Sequence, residues 1–376
     1  MKFYSLLYCL LAFHFLISCE DGNSFSDDYK SSLRLKPYLY LLESEATIEF
    51  GENASSREIG VKYSSKYTVQ TSANWVTATP SADGNLLTIS VSDNSSTKVR
   101  NATVTLTNAS DNLNIIIPVT QDGKSTFSYT VSANSKTVTF NMKYVEAGSF
   151  IMGTPNDEGR EIPHKVTLSN DYYIGETEVT QGLWSAVFQE LRYNTEYGYG
   201  DDYPAYYISY DDVNSFLRTL NYLLADQLPS GMKFRMPTEA EWEFAARGGN
   251  KSKGYTYAGS NTIGDVAWYT VNAYDVGRSS INYGTHQVKT KAPNELGIYD
   301  MSGNVTEWCL DWFSNTFYQN SPEKDPVNSD SPSAELRIQR GGCWLFDADG
   351  CSVSSRFCRQ PTYTAQSEGF RLALGY

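Results

Sequence analysis

The sequence predicts two folded domains, an N-terminal all-β sandwich and a C-terminal α+β domain with much irregular structure. Three observations point there. The chain has 376 residues, more than one ordinary domain of about 100–200 residues accommodates. Residues 38–122 alternate apolar and polar side chains with period two between turn clusters such as "SADGN" and "NASDN", the pattern of half-buried antiparallel strands. After residue 122 strand-like stretches give way to helical patterns separated by segments rich in Gly, Asn, Asp and Tyr.

Composition bounds the function classes. With 40% hydrophobic and 14% aromatic residues, each domain can bury a core, unlike a disordered tail. A net charge of −13 without a compensating Lys/Arg run repels a phosphate backbone, so nucleic acid is not an expected partner.

Residues 1–19, "MKFYSLLYCLLAFHFLISC", carry an early cation at Lys2 and an apolar run to Ile17, the pattern of a secretion signal over 1–18. The run is shorter than the roughly 20 apolar residues of a membrane span. Its ending "LISC" resembles a bacterial lipobox, which implies lipidation at Cys19, whereas a plain cleaved signal needs no cysteine there. The following "CEDGNSFSDD" resembles signals that carry lipoproteins to the cell surface. The expected location is therefore the bacterial outer membrane, lipid-anchored and facing outward, with a periplasm-facing anchor as the alternative. Residues 19–37 are a polar tether. Cys9 leaves with the signal, so Cys309, Cys343, Cys351 and Cys358 remain. An even number in an oxidising compartment is the pattern of one or two disulfides, whose pairing sequence cannot rank.

Within 38–122, "SANWVTATP", "GNLLTISVSDN", "RNATVTLTN" and "IIPVTQDG" resemble the BACON domain, with Trp75, Asn101 and Gln121 at recurring positions. That resemblance implies an immunoglobulin-like sandwich acting as a spacer or a carbohydrate binder; Trp75 would be exposed in the second case and core in the first. Residues 123–140 form a linker or a strand leading into the second domain, 141–376. Three helices are expected there. "SYDDVNSFLRTLNYLLADQ" offers Ser209 and Asp212 as a cap and a stripe of Val213, Phe216, Leu217, Leu220, Leu223 and Leu224. "MPTEAEWEFAARGG" carries a Thr238/Glu241 capping box and ends at Gly248. The third lies around "TQGLWSAVFQEL".

The segments "AGSFIMGT", "EIPHKVTLSNDYYIGETEVTQGLW", "FRMPTEAEWEFAARGG", "NELGIYDMSGNVTEWCLDW", "RIQRGGCW" and "EGFRLAL", in this order, resemble the formylglycine-generating enzyme or sulfatase-modifying factor family from about residue 145 onward. The family's fold is an elaborated C-type-lectin-like α+β domain. The resemblance implies a calcium site in "DMSGNVTE": carboxylates of Asp300 and Glu307 and carbonyls of Gly303 and Val305, hard oxygen donors that suit calcium. The alternative is that this loop only shapes a turn.

The resemblance also implies a copper(I) site on two cysteines, where oxygen is activated to oxidise a substrate cysteine; soft thiolates suit copper(I). The second cysteine falls on Cys351, but the first falls on Phe346. The family's Ser of "GGS" is Cys343 here, and its His after the first cysteine is Asp347. A phenyl ring cannot ligate copper, so Cys351 is catalytic only if Cys343 or Cys358 supplies the second thiolate. The alternative is that the four cysteines are staples. Non-heme iron is not expected, because the mature chain has only His164 and His286, and structural zinc needs three or four placed ligands.

Two functions follow as expectations. The first is a cell-surface lipoprotein whose second domain has lost copper oxidation and binds a protein or glycan, with the tyrosine-rich segment 193–207 as its face. The alternative is an active copper oxidase that modifies a sulfatase cysteine.

Overall fold

The computed structural model describes residues 36–42, 47–155, 159–188, 193–330 and 335–376. The signal, Cys19 and nearly all of the tether lie outside the described residues. The chain divides into two compact units, one running to residue 92 and resuming over 101–121, the other comprising 93–100 and 122–376.

The first unit is built from β1 (Leu39–Leu41), β2 (Ile48–Phe50), β3 (Ser55–Tyr63), β4 (Thr68–Thr71), β5 (Val76–Pro80), β6 (Leu86–Val91), β7 (Arg100–Asn108) and β8 (Leu113–Gln121). They form two four-stranded sheets, β1-β3-β6-β5 and β2-β8-β7-β4. Successive side chains leave a strand on opposite faces. Ile59, Val61, Leu87 and Ile89 of one sheet therefore meet Val104, Leu106, Ile117 and Val119 of the other in one core. One pairing departs from the expected antiparallel pattern: β2 runs parallel to β8, with Ile48 opposite Val119. Trp75 is half-buried against the core, not a freely standing platform. Buried Gln121 donates to the carbonyls of Gly51 (3.1 Å) and Ser92 (2.9 Å), tying loop backbone that no strand pairs.

The second unit opens with β9 (Thr126–Ala133) and β10 (Lys136–Val145), followed by β11 (Gly148–Met152), β12 (His164–Leu168) and β13 (Tyr172–Gly175). The β9–β10 turn is Asn134-Ser135, both at positive φ (51° and 60°), the backbone that matches strand twist in a two-residue hairpin. The segment read as a linker or leading strand thus holds β9, an edge of the main sheet, and the first residues of β10. That sheet runs β14-β19-β13-β10-β9, where β14 is Lys233–Arg235 and β19 is Ala373–Gly375. A second sheet runs β17-β16-β15-β18, from Arg356–Arg359, Arg337–Arg340, Thr306–Trp312 and Glu368–Gly369.

Helix α1 (Gln181–Val187) is short and capped by Thr180. Helix α2 (Tyr210–Leu223) has the expected Ser209/Asp212 box and buries Val213, Phe216, Leu217 and Leu220. Leu223 departs from the stripe: it is 37% exposed, while Leu224, at the C-cap, is buried. Trp184 of α1 stacks on Phe216 of α2 at 5.1 Å in the first of this unit's two large cores.

Helix α3 (Glu239–Ala246) carries the expected Thr238/Glu241 box and ends before Gly248 at φ +91°. All eight of its residues are buried, three of them glutamates. Each glutamate is matched by arginine. Glu239 takes Arg356 bidentately at 2.6 and 2.7 Å, and Glu241 takes Arg235 at 2.7 Å twice. Glu243 takes Arg247 at 2.8 Å and also Arg340. Among the described residues no helix is long and apolar enough to cross a membrane.

Breaking a buried pair leaves an uncompensated charge, whereas breaking an exposed one costs little. Urea unfolding of Arg356→Ala should therefore show a loss of about 3–5 kcal/mol. Lys165→Ala, which breaks the exposed pair with Glu323, should leave the midpoint unchanged; equal midpoints for both variants would contradict the assignment.

Candidate functional site

The loop between β16 and β17, residues 341–355, carries Cys343, Phe346 and Cys351. Its ends are held by arginines. Arg340 donates to the carbonyls of Ser354 (2.5 Å), Ser355 (2.7 Å) and Val353 (3.1 Å) while pairing with Glu243. Arg356 donates to the Arg160 carbonyl at 2.7 Å while held by Glu239. The loop closes because residue 342 is glycine: at φ +68°, a Cβ there would lie 2.5 Å from the Gly350 carbonyl and 2.8 Å from Cys351 Sγ.

Within this frame Cys343 and Trp344 are fully buried. Trp344 donates its amide to Asn304 O at 2.9 Å, and its ring meets Tyr283 at 5.2 Å and Tyr197 and Tyr274 at 5.9 Å. Phe346 is half-buried, its ring 4.7 Å from Phe357, and its carbonyl accepts from Thr270 N at 2.9 Å. Cys351 is buried with Sγ 3.9 Å from the Cys343 carbonyl. Burial pushes its thiol up to about 12, and burial likewise raises Cys343 well above the ordinary thiol range. Asp347 and Asp349 are exposed at the tip.

In the structure Cys309, Cys343, Cys351 and Cys358 are free thiols. Sheet order explains one pair. Cys309 lies on β15 and Cys358 on β17, with β16 between them, so about two strand spacings, near 10 Å, separate their backbones, beyond the roughly 7 Å a disulfide spans. Nor do these residues fit a two-thiolate copper(I) site. At the two positions the resemblance implies stand Phe346, which cannot ligate copper, and Cys351, whose thiol burial pushes up to about 12.

The loop expected to hold calcium is shaped by Asp300 (φ +58°) and Gly303 (φ +85°), where a Cβ would lie 2.2 Å from the Trp268 carbonyl. Asp300 accepts the Lys289 amide at 2.8 Å. Glu307 accepts Arg371 at 2.7 Å on each oxygen and Trp242 Nε1 at 2.6 Å. The donors fit calcium in chemistry, but Glu307 would offer only the lone pairs that Arg371 and Trp242 leave. Among the described residues no three His, Cys, Asp or Glu side chains group to hold a metal. Glu178, which the sequence did not single out, joins this loop: its carboxylate accepts Val305 N (3.2 Å) and Asn304 Nδ2 (3.1 Å). Burial, then Asp300 and Glu307, hold Glu178 far above the carboxylate range, and burial raises Asp300 to about 6.

The tyrosine-rich segment proves mostly structural. Tyr206 is buried and donates to the carbonyls of Asn194 (2.7 Å) and Gly198 (3.0 Å), and of the tyrosines in 193–207 only Tyr199 is exposed. His164 stacks on Tyr318 at 4.5 Å, and His286 stacks flat on Trp268 at 3.5 Å. The buried arginines Arg340, Arg356 and Arg371 were also missed. Their signal was the adjacency of arginine to the motifs "RGG" and "GFR" and three glutamates at alternate positions of one helix.

Fold and motif order together define a domain of the sulfatase-modifying-factor type. The family model "Sulfatase-modifying factor enzyme 1-like domain" matches residues 128–375, so the chain belongs to that family, and the BACON model matches residues 65–122. The chain is 31% identical over 259 residues to chaperone protein LppX of Paenibacillus barcinonensis, covering 59% of this chain and 85% of that protein. It is 33% identical over 183 residues to the formylglycine-generating enzyme of Streptomyces coelicolor, covering 46% of this chain but only 52% of the enzyme. The solved structure of Treponema denticola variable protein 1 superposes with a TM-score of 0.55 at 32% identity, covering 66% of this chain and 98% of that one.

Two measurements check the site. Alkylation of the native protein at pH 7.5 followed by mass mapping should label half-buried Cys358 first and leave Cys309, Cys343 and Cys351 unlabelled until denaturation; a disulfide among them would contradict the geometry. Burial lowers the His286 pKa from about 6.5 to about 4. Its contribution to stability is therefore complete above pH 6.5 and is lost as pH falls towards 4. In NMR titration the His286 ring should protonate near pH 4; protonation near 6.5 would mean that the stack on Trp268 is open.

Proposed function

We propose that the mature chain is a lipid-anchored outer-membrane protein, displayed at the cell surface through Cys19, whose second domain has lost copper oxidase chemistry and binds a partner protein. The observation that carries the reading is the Phe346–Phe357 contact beside a buried Cys351. Copper(I) chemistry needs two soft thiolates, one of them exchangeable with the substrate thiol. A phenyl ring and a thiol that ionises near pH 12 offer neither.

What this arrangement can do is present a rigid surface. The tip Leu345, Phe346, Asp347 and Asp349 combines half-buried apolar and exposed acidic groups on a base clamped by Arg340 and Arg356. Exposed Tyr274 and Val271 lie on the segment whose backbone is bonded to Phe346. Such pre-organisation lowers the entropic cost of binding. A protein partner also agrees with the chaperone name of a relative that this chain covers at 85% of its length. In this reading the BACON-like unit is a spacer.

Retention of Cys351 and 33% identity to a formylglycine-generating enzyme favour the second reading, an active oxidase. The two separate in one assay. With copper(I), oxygen and a cysteine-containing sulfatase peptide, the protein should form no formylglycine, and product above the metal-free control would overturn the proposal. Binding is tested on envelope-protein and glycan arrays with wild type and a Leu345→Asp/Phe346→Asp variant; protein capture lost in the variant supports the reading, while glycan capture alone or no capture counts against it.

Calcium at Asp300, Gly303, Val305 and Glu307 is part of this proposal. Glu307 pairs with the Arg371 guanidinium and buried Glu178 and Asp300 lie near it; a divalent cation would favour the ionised form of these carboxylates while doing no chemistry. Adding millimolar calcium to chelator-treated protein should raise Tm by several degrees, and an unchanged Tm would remove calcium from the reading.

A further inference from the structure

The second unit has a cleft of about 300 Å3 that no residue of the Cys343–Cys351 loop lines. That is the lower end of the size range of small-ligand sites. Its floor is Tyr172 and the bidentate Arg235–Glu241 pair, and its walls include Leu310, Pro326 and Val327. Asp325 and Tyr376 stand at the rim, where Tyr376 is 82% exposed.

The charges of this cleft do not cancel. Arg235 and Glu241 neutralise each other at 2.7 Å, and Asp171 shares Lys98 (3.6 Å) with Glu146 (3.7 Å). Asp325 has no basic group within 4 Å among the described residues. Among the described residues its oxygens accept only from Ser169, one from the amide at 2.7 Å and one from the hydroxyl at 2.5 Å, so each keeps lone-pair capacity. The carboxylate is held in place by a backbone at φ +46° and by the Asp325 amide donating to Thr167 O at 2.9 Å. Asp325 is thus a fixed carboxylate without a cation of its own, beside apolar walls and an exposed aromatic ring. A neutral apolar ligand would leave the carboxylate unused, and an anion would meet it. An alkyl stem ending in a cation uses all three features: stem on the walls, charge on Asp325, and ring face for a cation–π contact. The net charge of −13 further concentrates cations at the surface.

We propose that this cleft binds an alkylammonium group, supplied either by a free amine or by a lysine side chain of a polypeptide. The site is separate from the face assigned to partner binding, so neither reading stands or falls with the other.

Calorimetry and saturation-transfer NMR on the whole mature protein at low salt test it, with n-butylammonium, n-butanol, butyrate and the amidated peptide Gly-Lys-Gly as probes. The ammonium should bind at least tenfold more tightly than the alcohol, and butyrate should not bind. Asp325→Asn should weaken the ammonium about tenfold, the usual scale of one charge-assisted hydrogen bond, with Tm unchanged because the amide oxygen still accepts from Ser169. Tyr376→Ala, at an exposed position, should weaken it without altering the fold. Binding of the peptide as well as the amine assigns the lysine source, and binding of the amine alone assigns a free amine. Equal affinity for butanol, tighter binding of butyrate, or indifference to Asp325→Asn would each overturn the proposal.

Discussion

The second domain depends on charge pairing between a buried helix and the ends of a loop. Helix α3 presents Glu239 and Glu243 to Arg356 and Arg340, which flank the loop of residues 341–355. These pairs are weak evidence for net stability, since desolvating both charges offsets most of their attraction. Their consequence is specificity. A guanidinium that also satisfies the carbonyls of residues 353–355 admits one loop geometry, because any other strands buried charge.

A loop held at both ends can change its chemistry without losing its path. Phe346 offers no metal ligand, yet it sits on a loop with the clamp, the Gly342 turn and the Trp344 anchor in place. The phenyl ring has an aromatic neighbour in Phe357, which keeps the loop packed. Scaffold and reaction are separable here because the groups that shape the loop are not those that would bind metal. The calcium-like loop behaves similarly, with Arg371 taking both oxygens of Glu307 and so fixing that strand whether or not a cation is present.

Local signals were legible in the sequence wherever a single element decided them. Alternation in 38–122 marked the sandwich, and the Ser209/Asp212 and Thr238/Glu241 boxes marked two helix starts, because a cap involves residues three apart. The leading strand β9 was legible only as strand-like residues, since its role as a sheet edge depends on β10 and β13. Cysteine count suggested staples; sheet order separates Cys309 from Cys358, a distance invisible in spacing along the chain. Segment 193–207 looked like a recognition surface by composition, yet Tyr206 spends its hydroxyl on loop carbonyls and its ring in the interior.

By itself the sequence determined the β-sandwich and α+β fold classes and the family of the second domain, because these reside in periodicity and motif order. Only the tertiary structure decided which charges are buried together, that Cys351 is buried, and that Asp325 lines a cleft. The physical reason is that desolvation and pairing act on distances between residues far apart in the chain: Arg356 and Glu239 are 117 positions apart yet joined by two hydrogen bonds.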